Sequence, residues 1–165
     1  LRGAPELLNV SIEDVVEATE KMVAEWKARG KEIDRLREKV IEYEALEMLE
    51  KAEKIRGITF IKHSTRGVDA DSLIKMGRAI AVKDPKVIVA MCNVDGNINL
   101  VVMAGDEAVR LGVDAGEVAS EMARALGGGG GGRPNFGQGG GTAIEKVSEA
   151  LEVAREVVKK QSSRR

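Results

Sequence analysis

Residues 125–141 read ALGGGGGGRPNFGQGGG: six glycines in a row, a polar insert, then three more. How this tract is read decides the fold, because it either joins two independent pieces or belongs inside one domain. Flexible linkers usually mix Gly with Ser and connect separate units. Here both flanks carry helix signals instead. Upstream, Asp114 and Glu117 form a capping box ahead of Val118, Met122 and Leu126. Downstream, Thr142 and Glu145 predict the start of a helix with Ile144, Val147, Leu151, Ala154 and Val158 along one stripe. Glycines without Cβ let backbone N–H groups approach a phosphate or ribose closely, and Arg133 adds a forked donor beside them. Asn135 and Gln138 can meet a base or sugar edge, and Phe136 can stack on a base or plug the core. Only four rings occur in the chain, Trp26, Tyr43, Phe60 and Phe136, which favours the plug. The residues alone leave linker and functional loop equally open.

Upstream of the tract the pattern is that of a small mixed domain. GITFIKH, from Gly57, alternates as a strand does, and 68–82 reads as a helix with Asp69 or Asp71 near its start. KVIVAMCNV and INLVVMAG are apolar, β-branched runs around an Asp-Gly turn signal, so 86–105 predicts a β-hairpin buried on both faces. The order β, α, β, β, α, glycine loop, α defines a compact mixed α/β (α+β) domain over 55–165, with the Gly-rich loop at 127–141. Ahead of it, Ser11 and Asp14 predict the start of a long helix that no proline interrupts. Ile12, Thr19, Trp26, Ile33 and Val40 fall at heptad position a, and Val15, Met22, Arg29, Leu36 and Tyr43 at d. A helix from Ser11 to Lys54 would be roughly 65 Å long at 1.5 Å per residue, more than the small domain could cover. The expectation is a coiled-coil-like helical arm over 1–54. Its seam, Ile12, Val15, Met22, Trp26, Ile33, Leu36, Val40 and Tyr43, needs a second chain or another domain, and Gly30 is its weak point.

Composition narrows the chemistry. The single cysteine, Cys92, sits in an apolar strand and reads as a buried small hydrophobe, and no Cys/His cluster stands at zinc-binding spacing, so no metal site is expected. Cytoplasm is the expected compartment. No apolar run approaches the length of a membrane span, and Leu1 to Val10 lacks the build of a signal peptide. His63 is the only histidine, with no partner at triad spacing, and no P-loop occurs, so no catalytic residue is expected. Charge divides unevenly: 10 basic against 14 acidic residues in 1–54, and 16 against 13 in 55–165. An anionic partner therefore prefers the second part. No acid occurs from Lys54 to Val68 or from Met122 to Ile144, and these windows hold Lys54, Arg56, Lys62, Arg66, Arg124 and Arg133, with His63 as a further phosphate donor. Brought together in space, they would form a surface that an RNA backbone could approach.

The tract GGGGGGRPNFGQGGG resembles the glycine-rich signature of the C-terminal domain of archaeal-type alanyl-tRNA synthetases. In that family a glycine stretch leads to Gly-Arg-Pro, Asp or Asn, an apolar residue, a small residue, Gln and small residues again, matched in order by Gly132 to Gly139. DAGEVASEMARALGG and the long preceding helix are also similar, so the resemblance runs from about Ser11 to Lys160. It implies a piece of a larger enzyme, with a dimerising arm and a domain that binds the outer corner of tRNA(Ala). Its tRNA-facing set would be Gly130, Gly131, Gly132, Arg133, Asn135 and Gln138 with the cations above. Alanine ligation, with ATP and magnesium, and zinc-bearing editing would belong to upstream domains of the same synthetase, leaving this chain noncatalytic and without cofactor. A related domain follows the catalytic part of DHH-type phosphoesterases, although no Asp-His-His motif occurs here. A substrate-holding domain of that kind, or a purely structural dimerisation module, is the alternative.

Overall fold

The computed structural model describes Ser11 and residues 14–164. Ile12 and the Leu1 to Val10 stretch lie outside the described residues. Helix α1, Val15–Glu50, is unbroken at Gly30. It is rich in Glu, Lys, Ala and Leu, good helix formers, and is laced by local pairs such as Arg35 with Glu32 (2.7 Å) and Lys51 with Glu47 (2.5 Å). The expected opening box does not form as such. Ser11 Oγ donates to the Asp14 carboxylate at 2.5 Å instead of either side chain capping a backbone N–H. The helix ends at Glu50, short of Lys54, which lies in a strand.

By packing, the chain divides into Leu1–Val40 and Ile41–Arg165, not after Lys54. In the first unit Met22, Trp26, Ile33, Leu36 and Val40 are exposed, Trp26 by 75%. In the second, Ala45 is fully buried and Ile41, Met48 and Leu49 pack beside it, so the last turns of α1 belong to a core. Tyr43, on another side of those turns, stays 73% exposed.

The second unit is built on one six-stranded sheet of β1 Glu53–Ile55, β2 Ile58–Arg66, β3 Val87–Asp95, β4 Asn97–Ala104, β5 Gly130–Arg133 and β6 Phe136–Gly141, in the order β1-β2-β3-β4-β6-β5. Helix α2, Ala70–Lys83, is the crossover that lets β2 and β3 run parallel; the other neighbours are antiparallel. Asp69 caps α2 by accepting from Ser72 N–H at 2.8 Å. The expected hairpin is β3–β4, turning at Gly96 with φ +70. Short helix α3, Asp106–Arg110, was not legible in the sequence. Helix α4, Ala115–Ala125, is capped as expected by Asp114, which accepts from Glu117 N–H at 3.0 Å. Helix α5, Val147–Ser163, lacks the expected Thr142 cap: Thr142 N–H donates to Leu126 O at 3.1 Å, and a 3-10 turn, Ile144–Lys146, leads in.

Two apolar layers enclose the sheet. Phe60, Ile88, Ala90, Leu100 and Val102 face Val118, Met122, Leu151 and Val158 of α4 and α5. Val87, Val89, Met91, Val101 and Met103 face Leu73, Met76 and Ile80 of α2, with Ala45. Alternate residues of β3 thus enter opposite cores, which accounts for its continuous apolar run. Arg155 of α5 forks onto Glu53 of β1 at 2.5 and 2.8 Å and fixes the rim of the first layer.

The glycine tract is neither linker nor loop from Gly130 onward: β5 and β6 pair as a hairpin, with Gly131 opposite Gln138 and Arg133 opposite Phe136. Helix α4 lies on it at backbone distance. A Cβ at Gly137 would stand 2.3 Å from Ala115 O and 2.6 Å from Ala119 Cβ, and one at Gly141 2.3 Å from Leu126 O. Reciprocally, a Cβ at Gly116 of α4 would meet Gly132 O at 2.7 Å. Phe136 packs, half-buried, into the α2-side core, as the plug reading has it. Gly137→Ala is expected to destabilise the chain by about 2 to 3 kcal/mol, the range for overpacking. Gly131→Ala, where a Cβ has open space, should stay within about 0.5 kcal/mol. Urea unfolding of the two variants checks this; equal midpoints would return the tract to a linker.

Candidate nucleic-acid interface

The strand register gathers several turns at one end of the sheet. There β1 ends and β2 begins, β3 begins, β4 ends, and the β5–β6 hairpin turns. The end therefore carries the Arg56–Gly57 turn, Lys86, α3, and the Pro134–Asn135 turn. Backbone bonds hold these pieces firmly. Glu107 and Ala108 N–H donate to Pro85 O at 3.0 Å, Gly105 N–H to Val87 O at 2.8 Å, Ala104 N–H to Asn135 O at 3.0 Å and Ala115 N–H to Pro134 O at 2.9 Å. Gly105 is required at that join, since a Cβ there would stand 2.3 Å from Pro85 O. Two open depressions result: one lined by Arg56, Gly57, Lys86, Glu107, Arg110 and Leu111, the other by Asp106, Val109, Arg110, Arg133, Pro134 and Asn135. Arg110 borders both.

The two acid-free windows meet only in part, at Arg56 and Arg133. Lys54 Nζ donates to Thr59 Oγ1 at 2.5 Å and stands 3.8 Å from Asp84. Burial works against the Asp84 carboxylate, but hydrogen bonds from Thr59 and Lys86 N–H, with the Lys54 and Lys86 charges, hold it below the usual range. Lys62 is paired with Glu152 of α5, and Arg124 with Glu121 at 2.8 Å. His63, one residue on from Lys62 in β2, points to the other face. It lies half-buried with Glu44, Glu47 and Met48 of α1 around one cavity, and burial pushes its pKa below the ordinary value against the pull of Glu44. Arg66 stands at the opposite end of the sheet, beside Ser64, Glu145 and Ser148. Gly130, Gly131, Gly132 and Gln138 lie along the edge hairpin, with Gln138 exposed.

Of the residues singled out in the sequence, the structure thus brings Arg56, Arg133 and Asn135 to one place. Lys86 and Arg110 join them and were missed, because Asp84, Asp106 and Glu107 beside them in sequence broke the acid-free pattern. Among the described residues, no group of three or more His, Cys, Asp or Glu is placed to hold a metal ion, and no helix is long and apolar enough to cross a membrane.

Fold and site together define a mixed α/β domain that closes a glycine hairpin under a helix and carries a cationic rim at one sheet end. A family profile of the DHHA1 domain matches residues 57–160, and the chain belongs to that family. Its relatives include the alanine–tRNA ligase of Methanococcoides burtonii, 34% identical over 98% of this chain and 17% of that protein. That of Methanothermobacter thermautotrophicus is 39% identical over 94% of this chain and 17% of that protein. The chain thus spans about a sixth of the curated relatives it matches. Among solved structures, the C-Ala domain of Aquifex aeolicus alanyl-tRNA synthetase is 28% identical with a TM-score of 0.61, covering 66% of this chain and 97% of that one. A DHH domain from a member of a family of ribosomal proteins shares the fold, at 18% identity and a TM-score of 0.54 over 76% of this chain and 32% of that one.

Cys92 is fully buried on the α4–α5 side of the sheet, and burial pushes its thiol up to about 12. It should resist 5,5′-dithiobis(2-nitrobenzoic acid) at pH 8 in the folded chain and react within minutes in 6 M guanidinium; prompt native reaction would show the site to be open.

Proposed function

We propose that the chain is the C-terminal tRNA-binding and dimerisation module of an alanine–tRNA ligase. The observation that carries this reading is its alignment, nearly end to end, with about a sixth of the ligase relatives, together with 97% coverage of the C-Ala domain. On this reading the module does not itself catalyse. Alanine ligation with ATP and magnesium, and zinc-bearing editing, take place in upstream domains of the same cytoplasmic synthetase. The module binds the outer corner of tRNA(Ala) by shape and backbone, using cations and amides set on a rigid sheet, which suits recognition of a folded RNA. The seam of Val15, Met22, Trp26, Ile33, Leu36, Val40 and Tyr43 takes a second copy, and its exposed apolar side chains support that.

The chain should bind a tRNA(Ala) transcript with an affinity that falls steeply between 50 and 200 mM salt, as phosphate contacts require. It should sediment as a dimer that Trp26→Glu with Leu36→Glu converts to monomer. Absence of binding at low salt would remove the RNA role, and a monomeric wild-type chain the self-association.

A further inference from the structure

We infer that the phosphodiester backbone of the RNA seats on the strip formed by Arg56, Lys86, Arg110 and Arg133, at one end of the sheet, and not on Lys54, Lys62, Arg66 and Arg124; this rests on the RNA-binding reading above. The first observation is a strained backbone. Arg56 has φ +49, the positive-φ non-glycine residue among those described, and forms with Gly57, at φ +85, the two-residue turn between β1 and β2. A turn with both central residues at positive φ favours Asn or Gly at its first position, where an arginine is held with more strain. A strained residue kept at an exposed turn points to use of its side chain.

The second observation is how the charges are placed. Lys54, Lys62 and Arg124 each already have a carboxylate partner, so an RNA phosphate would have to displace it. Arg56 and Arg133 take part in none of the ion pairs among the described residues, and both are exposed. Acids are present nearby: Asp106 and Glu107 open α3, and Asp84 lies below Lys86. Asp84 is paired with Lys54 at 3.8 Å and accepts from Thr59 and from Lys86 N–H.

Sheet order sets the length of the strip. From the β1–β2 turn to the end of β5 it crosses the sheet almost edge to edge, about 20 Å at the usual strand spacing, enough for several successive phosphates. Arg110 borders both depressions, which makes them neighbours along the strip. No aromatic ring lines either one, and Asn135 offers an exposed amide beside Arg133, so the strip is built for phosphate and 2′-hydroxyl rather than for base stacking.

Arg56→Asn separates the residue's strain from its charge. It should raise or preserve the thermal midpoint while weakening tRNA(Ala) binding about fivefold in fluorescence anisotropy. R56N with R133Q should weaken it about twentyfold and lower the slope of log K against log salt by about two. Lys75→Ala with Arg78→Ala, on exposed positions of α2, should change neither. If the wild-type chain binds but R56N/R133Q keeps its affinity and slope, or K75A/R78A loses as much, the strip is overturned and the RNA-binding reading stands. If the wild-type chain fails to bind the transcript at low salt, that reading falls and the strip with it.

Discussion

The structure depends on the approach of two backbones, that of helix α4 and that of the β5–β6 hairpin. Glycine loses more freedom on folding than any other residue, by roughly 0.5 to 1 kcal/mol relative to alanine in a regular element. A tract this rich in it would not form strands on propensity. What offsets the cost is geometric: α4 presents Ala115, Gly116, Ala119 and Ala123 to the hairpin, and side chains on either surface would hold the two apart. Contact at that distance buries Val118, Met122 and Leu126 against the sheet, and pairs β6 with β4 so that the hairpin completes it. The same approach satisfies polar groups, because Pro134 O accepts from Ala115 N–H at the start of α4 and Leu126 O accepts from Thr142 N–H at its end.

The cationic rim follows from that arrangement. With the hairpin in the sheet, Arg133 is carried to the same end as the β1–β2 turn, and Pro85 O clamps the first turn of α3 beside Lys86. Turns anchored by buried strands hold cations with little backbone freedom, the usual way in which a rigid scaffold presents a binding surface. The charge excess of the second part of the chain is small. Its placement matters more than its size, since Lys62 and Arg155 are engaged in ion pairs that tie α5 to β2 and β1.

What was legible in the sequence is what local pattern encodes. The β3–β4 hairpin, the cap at Asp114, an Asp at the start of α2 and the burial of Cys92 each rest on residues close in sequence or on a strict period, and the plug at Phe136 on the scarcity of rings. The two glycine strands were invisible for a physical reason: strand signals are carried by side chains, and these residues have none. Thr142 has the right spacing for a cap, but a 3-10 turn at Ile144–Lys146 delays the helix to Val147, and Thr142 N–H instead ties to a carbonyl sixteen residues upstream, at Leu126. Sequence could not show that Lys62 meets an acid ninety residues away, at Glu152. Arg56, Arg133 and Asn135, which the structure places at one sheet end, stood out in the sequence, whereas Lys86 and Arg110 were hidden by the acids beside them.

The division between Val40 and Ile41 has a consequence for the proposed roles. Along α1 the helix itself does not change, but burial does: Met22, Trp26, Ile33, Leu36 and Val40 of the seam are exposed, whereas Ala45 is sealed in the α2-side core. The last turns of α1 are therefore part of the domain, held there by Ile41, Met48 and Leu49. The proposed seam lies in the first unit except for Tyr43, and the cationic strip lies in the second. The two share a covalent helix and no side chain, so a change in the seam up to Val40 alters how many RNA surfaces one particle carries without altering any one of them. The proposed dimer would carry two strips, and the second would act through effective concentration, adding an avidity that a single strip lacks.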